Sequence, residues 1–341
     1  DRGGDWSSDV CSSDLSVREI PIKFDARIFD VIGEYACSSG TFTKAWNLVT
    51  GDQLLNLSHG ETVKIMSISF KAFSTPEEEG QRLWLGNNVG DLIEVDVASQ
   101  SVIATKSAAH SRHEVIKIYR HQDEMWTLDD VGTLHIWVPN RTTTQGFDIL
   151  AQTFRVPKGY TFSLVAGNEL WYATGKDLRV FDPTATEGAP FQLLQRPLCQ
   201  SSAGEIVSGA TINSQPDRVY FGHTDGKVTI YSRDTFACLD IINVSLYKIN
   251  SLVGVGQHLW AGFNTGLICV YDTTQSPWVM KKDWRAHENP VLGILADRNS
   301  SRKLDRLQVI SLGADNLLRQ WDGLLREDWL GRHPRTLIRV D

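Results

Sequence analysis

Apolar and polar positions alternate with period two in short runs along most of this chain, the pattern of half-buried strands rather than helices. Seven segments share one form: an apolar pair, a short turn, then an alternating run that ends in an aromatic residue and often Asp. They are YACSSGTFTKAWNL (35–48), LWLGNNVGDLIEVD (83–96), MWTLDDVGTLHIWV (125–138), LWYATGKDLRVFD (170–182), VYFGHTDGKVTIYS (219–232), LWAGFNTGLICVYD (259–272) and VISLGADNLLRQWD (309–322). Asp225-Gly226 and Asn264-Thr265-Gly266 are turn signals between two such runs, so each segment predicts a β-hairpin.

The penultimate residues of the second strands in these segments are Trp46, Val95, Trp137, Phe181, Tyr231, Tyr271 and Trp321, separated by 49, 42, 44, 50, 40 and 50 positions. A period of about 40–45 residues with insertions is that of a four-stranded propeller blade. The sequence therefore predicts an all-β fold, a seven-bladed β-propeller over residues 16–326. Each hairpin gives two central strands. A strand before it, as in residues 63–70, 114–119, 205–211 and 291–296, is expected on the outside of the blade. A further strand follows, as in residues 54–57 and 236–241. One blade cannot bury both faces, whereas seven around an axis can.

The last blade is one strand short after Asp322, and residues 17–24 alternate ahead of the first blade. That N-terminal strand is expected to complete blade seven and close the ring. Pro21 fits only if the strand is an edge.

The chemistry is sparse. His287, Ser311, Asp315 and Trp321 resemble, in order and spacing, the hydrogen-bonded tetrad of WD repeats. In such a set the Asp accepts from the His, the His meets the hydroxyl, and the hydroxyl meets the indole N–H, so that every buried polar group is satisfied. The same residue types could form a nucleophilic triad. Ser311, however, lies within a strand and has no elbow or oxyanion nest around it. Blade three keeps His110, Thr127 and Trp137 but has Val131 where Asp is expected, and blade five keeps Asp225 alone. Only blade seven is therefore expected to hold a full tetrad. No phosphate loop, HExxH or Gly-rich dinucleotide turn is present, and the Phe-Arg-Arg-Gly signature of phosphoinositide-binding propellers is missing. No residue is assigned a catalytic, cofactor-binding or metal-binding role. The Pro76-Glu77-Glu78-Glu79 run reads as a solvated loop. Arg298, Arg302, Lys303 and Arg306 form a basic insertion in blade seven, with Lys281, Lys282 and Arg285 upstream. Its bland reading is a solvated loop; its sharper one is contact with anionic lipid or an acidic partner.

Composition narrows the setting. The net charge is −7, against a nucleic-acid binder. Tryptophan (11) far exceeds methionine (3), which favours sheet over helical packing. Cys11, Cys37, Cys199, Cys238 and Cys269 show no CxxC spacing, so they read as isolated thiols rather than a zinc site. No apolar run approaches the ~20 residues that span a bilayer. The expectation is a cytoplasmic monomer, with peripheral membrane contact as its variant. Residues 5–15, DWSSDVCSSDL, read as the translation of a sequencing adapter. Residues 1–15 are accordingly expected to stand outside the fold, and residues 327–341 are expected to be a truncated or frameshifted tail.

A narrower resemblance rests on residues 259–330. LWAGFNTGLICVYD, KKDWRAHENPVLGI, KLDRLQVISLGADNLLRQWDGLL and DWL are similar to the propeller region of fungal inositol polyphosphate 5-phosphatases. In that family a propeller precedes a magnesium-dependent phosphatase domain. The resemblance implies a non-catalytic interaction or targeting module, with the phosphatase domain and its magnesium outside this chain. None of the family's Asp-x-Asn or Ser-Asp-His motif residues carries over. The alternatives are a stand-alone WD-repeat scaffold that binds a protein or peptide on a propeller face, and a propeller enzyme with a site in its channel.

Overall fold

A computed structural model of the chain describes residues 16–142, 147–297 and 308–323, and the backbone of Arg335–Thr336. The described residues form seven antiparallel sheets. Blade one runs from Ile28–Ile32 to Gln53–Ser58, blade two from Ile65–Phe70 to Ser101–Lys106, and blade three from Val115–His121 to Ile149–Arg155. Blade four runs from Phe162–Ala166 to Leu198–Cys199, blade five from Ile206–Ile212 to Cys238–Asn243, and blade six from Ile249–Val255 to Val279–Arg285.

Blade seven takes three strands from the end of the ring and one from its start. Ser16–Pro21 pairs antiparallel with Leu317–Asp322, from Ser16 opposite Trp321 to Pro21 opposite Leu317. The closing N-terminal strand is thus present. Pro21 ends an edge strand, where its missing N–H breaks no ladder. Blade six carries a short fifth strand, Arg335–Thr336, on its outer edge.

The strand that precedes each hairpin lies on the inside, not the outside as its sequence position suggested. First strands of neighbouring blades pack on one another around the axis. Ser67 Oγ donates to Val115 O at 2.6 Å, Ser208 Oγ to Ile249 O at 2.8 Å, and Ser251 Oγ accepts from Ile294 N at 2.9 Å. Each bond joins the inner strands of neighbouring blades. Convergence at the axis also demands small residues: a Cβ on Gly254 would sit 2.1 Å from Thr211 O of the adjoining inner strand.

The core is organised by blade boundary. Seven hydrophobic clusters are found among the described residues, and each draws on two adjacent blades. An open array of seven blades would have one boundary fewer, so the cluster joining Ile20, Ile22 and Leu318 to Val31 and Trp46 is the closure itself. The penultimate residues Trp46, Val95, Trp137, Phe181, Tyr231, Tyr271 and Trp321 are all buried. In five blades the pairing of the third strand with the fourth shifts register at that residue, as at Trp46, Val95, Trp137, Tyr231 and Tyr271. A bulge there tightens the local twist of the blade. The hairpin turns use glycine where the backbone requires it. Gly132 (φ +91°) and Gly266 (φ +86°) each lie against a carbonyl of the connection to the next blade, and a Cβ would approach it to 2.0 and 2.2 Å.

Candidate functional site

The connections between blades and the hairpin turns meet at one end of each blade, and buried polar networks form there. In blade seven, His287 follows the outer strand of blade six, Ser311 lies in the second strand, Asp315 in the turn and Trp321 in the third strand. His287 Nδ1 is 3.0 Å from Asp315 Oδ1, and its Nε2 is 2.6 Å from Ser311 Oγ. Trp321 Nε1 donates to the same Oγ at 2.8 Å. A carboxylate cannot donate, so Nδ1 carries the proton and Nε2 accepts from the Ser311 hydroxyl. Burial pushes the Asp315 carboxyl up, but the hydrogen bond and charge of His287 and the N–H groups of Glu288 and Leu317 outweigh it and hold it below its ordinary value. Ser311 is fully buried and its oxygen is engaged from two sides. No substrate can reach it, which removes the triad reading for these residues.

Blade three holds the same network, contrary to expectation. Asp129, at the end of the second strand, does what Val131 cannot. His110 Nδ1 is 2.9 Å from Asp129 Oδ2 and its Nε2 is 2.7 Å from Thr127 Oγ1, to which Trp137 Nε1 donates at 2.9 Å. Asp129 Oδ1 also accepts from Val131 N and Thr133 N, so one carboxylate both caps the turn and holds the histidine. Burial raises the Asp129 carboxyl, yet these bonds bring it below its ordinary value. His135 lies beside His110, its ring tilted by 44° at 4.4 Å between ring centres. Burial, then the neighbouring His110, lowers its pKa to about 4.

Other blades vary the theme. In blade five Asp225 does not act alone. It accepts from Gly204 N at 2.9 Å, while His223 joins Gly204 O and Thr229 Oγ1, each at 2.7 Å. In blade one, Ser39, Thr43 and His59 form a chain with contacts of 2.8 and 2.5 Å. These sets share a place in the blade but not a residue order.

Two further networks had no sequence signal. Arg120, on the inner strand of blade three, pairs with Asp30 of blade one and donates to Val31 O at 3.2 Å. It also donates to Ser69 Oγ at 3.1 Å and Phe70 O at 3.2 Å, in blade two. A single guanidinium thus ties three blades at the axis. Between blades two and three, Lys71 pairs with Glu94 at 3.3 Å and Asp148 at 2.9 Å, and Trp84 Nε1 donates to Glu94 Oε2 at 3.2 Å. Burial pushes the Asp148 carboxyl up even beside Lys71.

The remaining expected residues divide. Arg298, Arg302, Lys303 and Arg306 lie outside the described residues, as do residues 1–15 and all of the C-terminal tail but Arg335–Thr336. The glutamate run is not wholly solvated: Pro76–Glu78 is a short 3-10 helix, Glu78 accepts from Ser74 N at 2.9 Å, and Glu79 is buried against Gly33. Among the described residues no group of three or more His, Cys, Asp or Glu is arranged to hold a metal ion. No helix among them is long and apolar enough to cross a membrane.

Sheet order, the seven boundary clusters and the polar tetrads define a seven-bladed β-propeller of the WD-repeat type. Solved structures agree on the fold. A chain of the mitotic checkpoint complex superposes with a TM-score of 0.72 at 13% identity, covering 91% of this chain and 96% of that one. The computationally designed Ika8 protein superposes at 0.58 with 17% identity, covering 87% and 83%. No family model matches the chain. In sequence it is similar to a probable inositol polyphosphate 5-phosphatase of Schizosaccharomyces pombe, 36% identical over 333 residues. That match takes in 94% of this chain but 27% of the relative. The likeness expected from residues 259–330 therefore extends over nearly the whole ring.

Proposed function

We propose that this chain is the non-catalytic propeller portion of an inositol polyphosphate 5-phosphatase, and that it positions a catalytic domain through a protein or peptide bound on a propeller face. The observation that carries the reading is the alignment: 36% identity along 94% of the chain, against 27% of the relative. The remainder of such a protein has ample length for a catalytic domain, and the magnesium-dependent chemistry would reside there. The ring supports the assignment to a binding role. Its His-Ser-Asp and His-Thr-Asp sets are buried and mutually satisfied, so they stabilise blades rather than offer a reactive group. The ring acts as a cytoplasmic monomer in this reading, with membrane contact peripheral.

The test is expression from the uninterrupted transcript. The full-length product should release phosphate from inositol polyphosphates, the isolated ring should not, and deletion of the ring should redistribute the enzyme in cells without abolishing its activity. A transcript that encodes no phosphatase would leave a stand-alone scaffold instead.

A further inference from the structure

The seam where the ring closes carries a cleft of about 450 Å³. One wall is the closing strand and its continuation, with Arg18, Glu19, Ile20, Pro21 and Lys23. The other is blade one, with Lys44 and Trp46 on its third strand and Gly51 and Gln53 beyond the following turn. The volume falls within the range of small-ligand sites, about 300–1,000 Å³.

Its charge is unbalanced. Arg18, Lys23 and Lys44 face the cleft, and among the described residues none of them has a carboxylate within ion-pair distance. Glu19 is the one acid in the lining, and it is engaged by Arg319 of blade seven at 3.0 Å. Three cations thus converge in a concavity of a protein whose net charge is −7. Like charges brought together without counter-charge repel, and low-dielectric walls focus their field. A site built only for stability would pair them.

Two of the cations are held in place. Arg18 donates to Val49 O at 2.9 Å and Thr50 O at 3.3 Å, and its guanidinium lies so close to Gly51 that a Cβ there would sit 1.9 Å from Nη1. Lys44 Nζ donates to Ile22 O at 3.1 Å and lies 5.6 Å from the centre of the Phe24 ring. An ammonium has three donors, so Lys44 keeps two for a ligand. Lys23 is exposed and has no hydrogen-bond partner among the described residues. Holding long side chains in advance lowers the entropy lost on binding. Pro21 adds an exposed apolar surface at the rim of the cleft.

We propose that this seam cleft binds a compact, multiply phosphorylated anion, whether a soluble polyphosphate or a phosphorylated lipid headgroup. Arg18 and Lys44 supply fixed positive charge, Lys23 closes over the ligand, and the bound anion bridges the closing strand to blade one. The site does not depend on the phosphatase reading, which the full-length activity assay tests separately.

The experiment uses the whole chain and two probes: inositol hexakisphosphate by titration calorimetry, and phosphatidylcholine vesicles doped with phosphatidylinositol bisphosphate by flotation. Binding should weaken as salt is raised, and the soluble probe should raise the melting temperature. Lys23→Glu should weaken binding about tenfold or more. Lys44→Gln should weaken it in the same direction. Arg141→Glu, which reverses an exposed charge on blade three, should leave binding within about twofold. Binding of the soluble probe identifies a polyphosphate site, and binding of vesicles alone identifies a headgroup site. Absence of both, or equal loss in Lys23→Glu and Arg141→Glu, overturns the inference. The Lys23 side chain makes no hydrogen bond or ion pair among the described residues, so its variant separates lost binding from lost folding.

Discussion

Asp129 holds the imidazole of His110 as Asp315 holds that of His287, although it stands two residues after its hydroxyl partner rather than four. In both blades a buried histidine is clamped between a carboxylate and a hydroxyl that also accepts from an indole. What is preserved is the set of contacts, not the spacing in the chain.

That relationship predicts a specific loss. Asp129→Ala leaves His110 and two turn N–H groups without their acceptor and should cost about 3 kcal/mol in urea unfolding, the scale for breaking a buried pair. Adding Val131→Asp should not restore it, because the strand end and not the turn carries the carboxylate. Full recovery in the double variant would show the two positions to be interchangeable.

Closure gives a second prediction. Ile22 is fully buried in the cluster that joins blades seven and one. Ile22→Ala should cost about 2–5 kcal/mol. Removal of the chain through Pro21 should lower the melting temperature further, since it strips the outer strand from blade seven and leaves Leu317–Asp322 unpaired on that side. An unchanged melting temperature after that truncation would defeat the closure argument.

The pH dependence should have two limbs. His135 has a folded value of about 4 against 6.5 in the unfolded chain. Between those values the unfolded state takes up a proton that the folded state refuses, so stability falls as pH drops from 6.5 towards 4. His59, His223 and His258 are lowered by burial as well and act in the same direction. A second loss follows as pH falls below 3.8, when Asp129 and Asp315, whose folded values are depressed, take up protons. Denaturation midpoints measured across this range should show both limbs. His135→Gln should make the upper limb shallower, the other three histidines still contributing, and leave the lower one in place.

At the axis, Arg120→Met strands the Asp30 carboxylate among inner strands and should cost about 3 kcal/mol. Asp30→Leu with Arg120→Met should recover part of that loss. A double-variant cycle with no coupling would mean that the guanidinium acts through Ser69 and the carbonyls of Val31 and Phe70 alone.

The ring is legible in the sequence because its determinants are local. Period-two runs, hairpin turns and a recurring buried penultimate residue each lie within a few positions, and together they give blade number and closure. The side of the blade on which residues 206–212 lie is not legible from alternation, which is the same for an inner and an outer edge. A signal does exist in the small residues Ser208, Gly209 and Ala210, which close approach at the axis demands. The tetrad of blade seven is legible because its spacing follows the common pattern. That of blade three is hidden by a carboxylate moved from the turn to the strand end. Arg120 and Asp30 are 90 positions apart, and only the curvature of the whole ring brings them together.

The strand pair that closes the ring has a mechanical consequence. Ser16 lies opposite Trp321, so the start of Ser16–Pro21 and the end of Leu317–Asp322 fall at the same end of one antiparallel pair. Tension between those two strand ends would load the ladder one rung at a time, beginning at Ser16, rather than all rungs together. A ring held by seven shared cores could therefore be peeled open by a modest pull on those two ends, with the seam as its tear line.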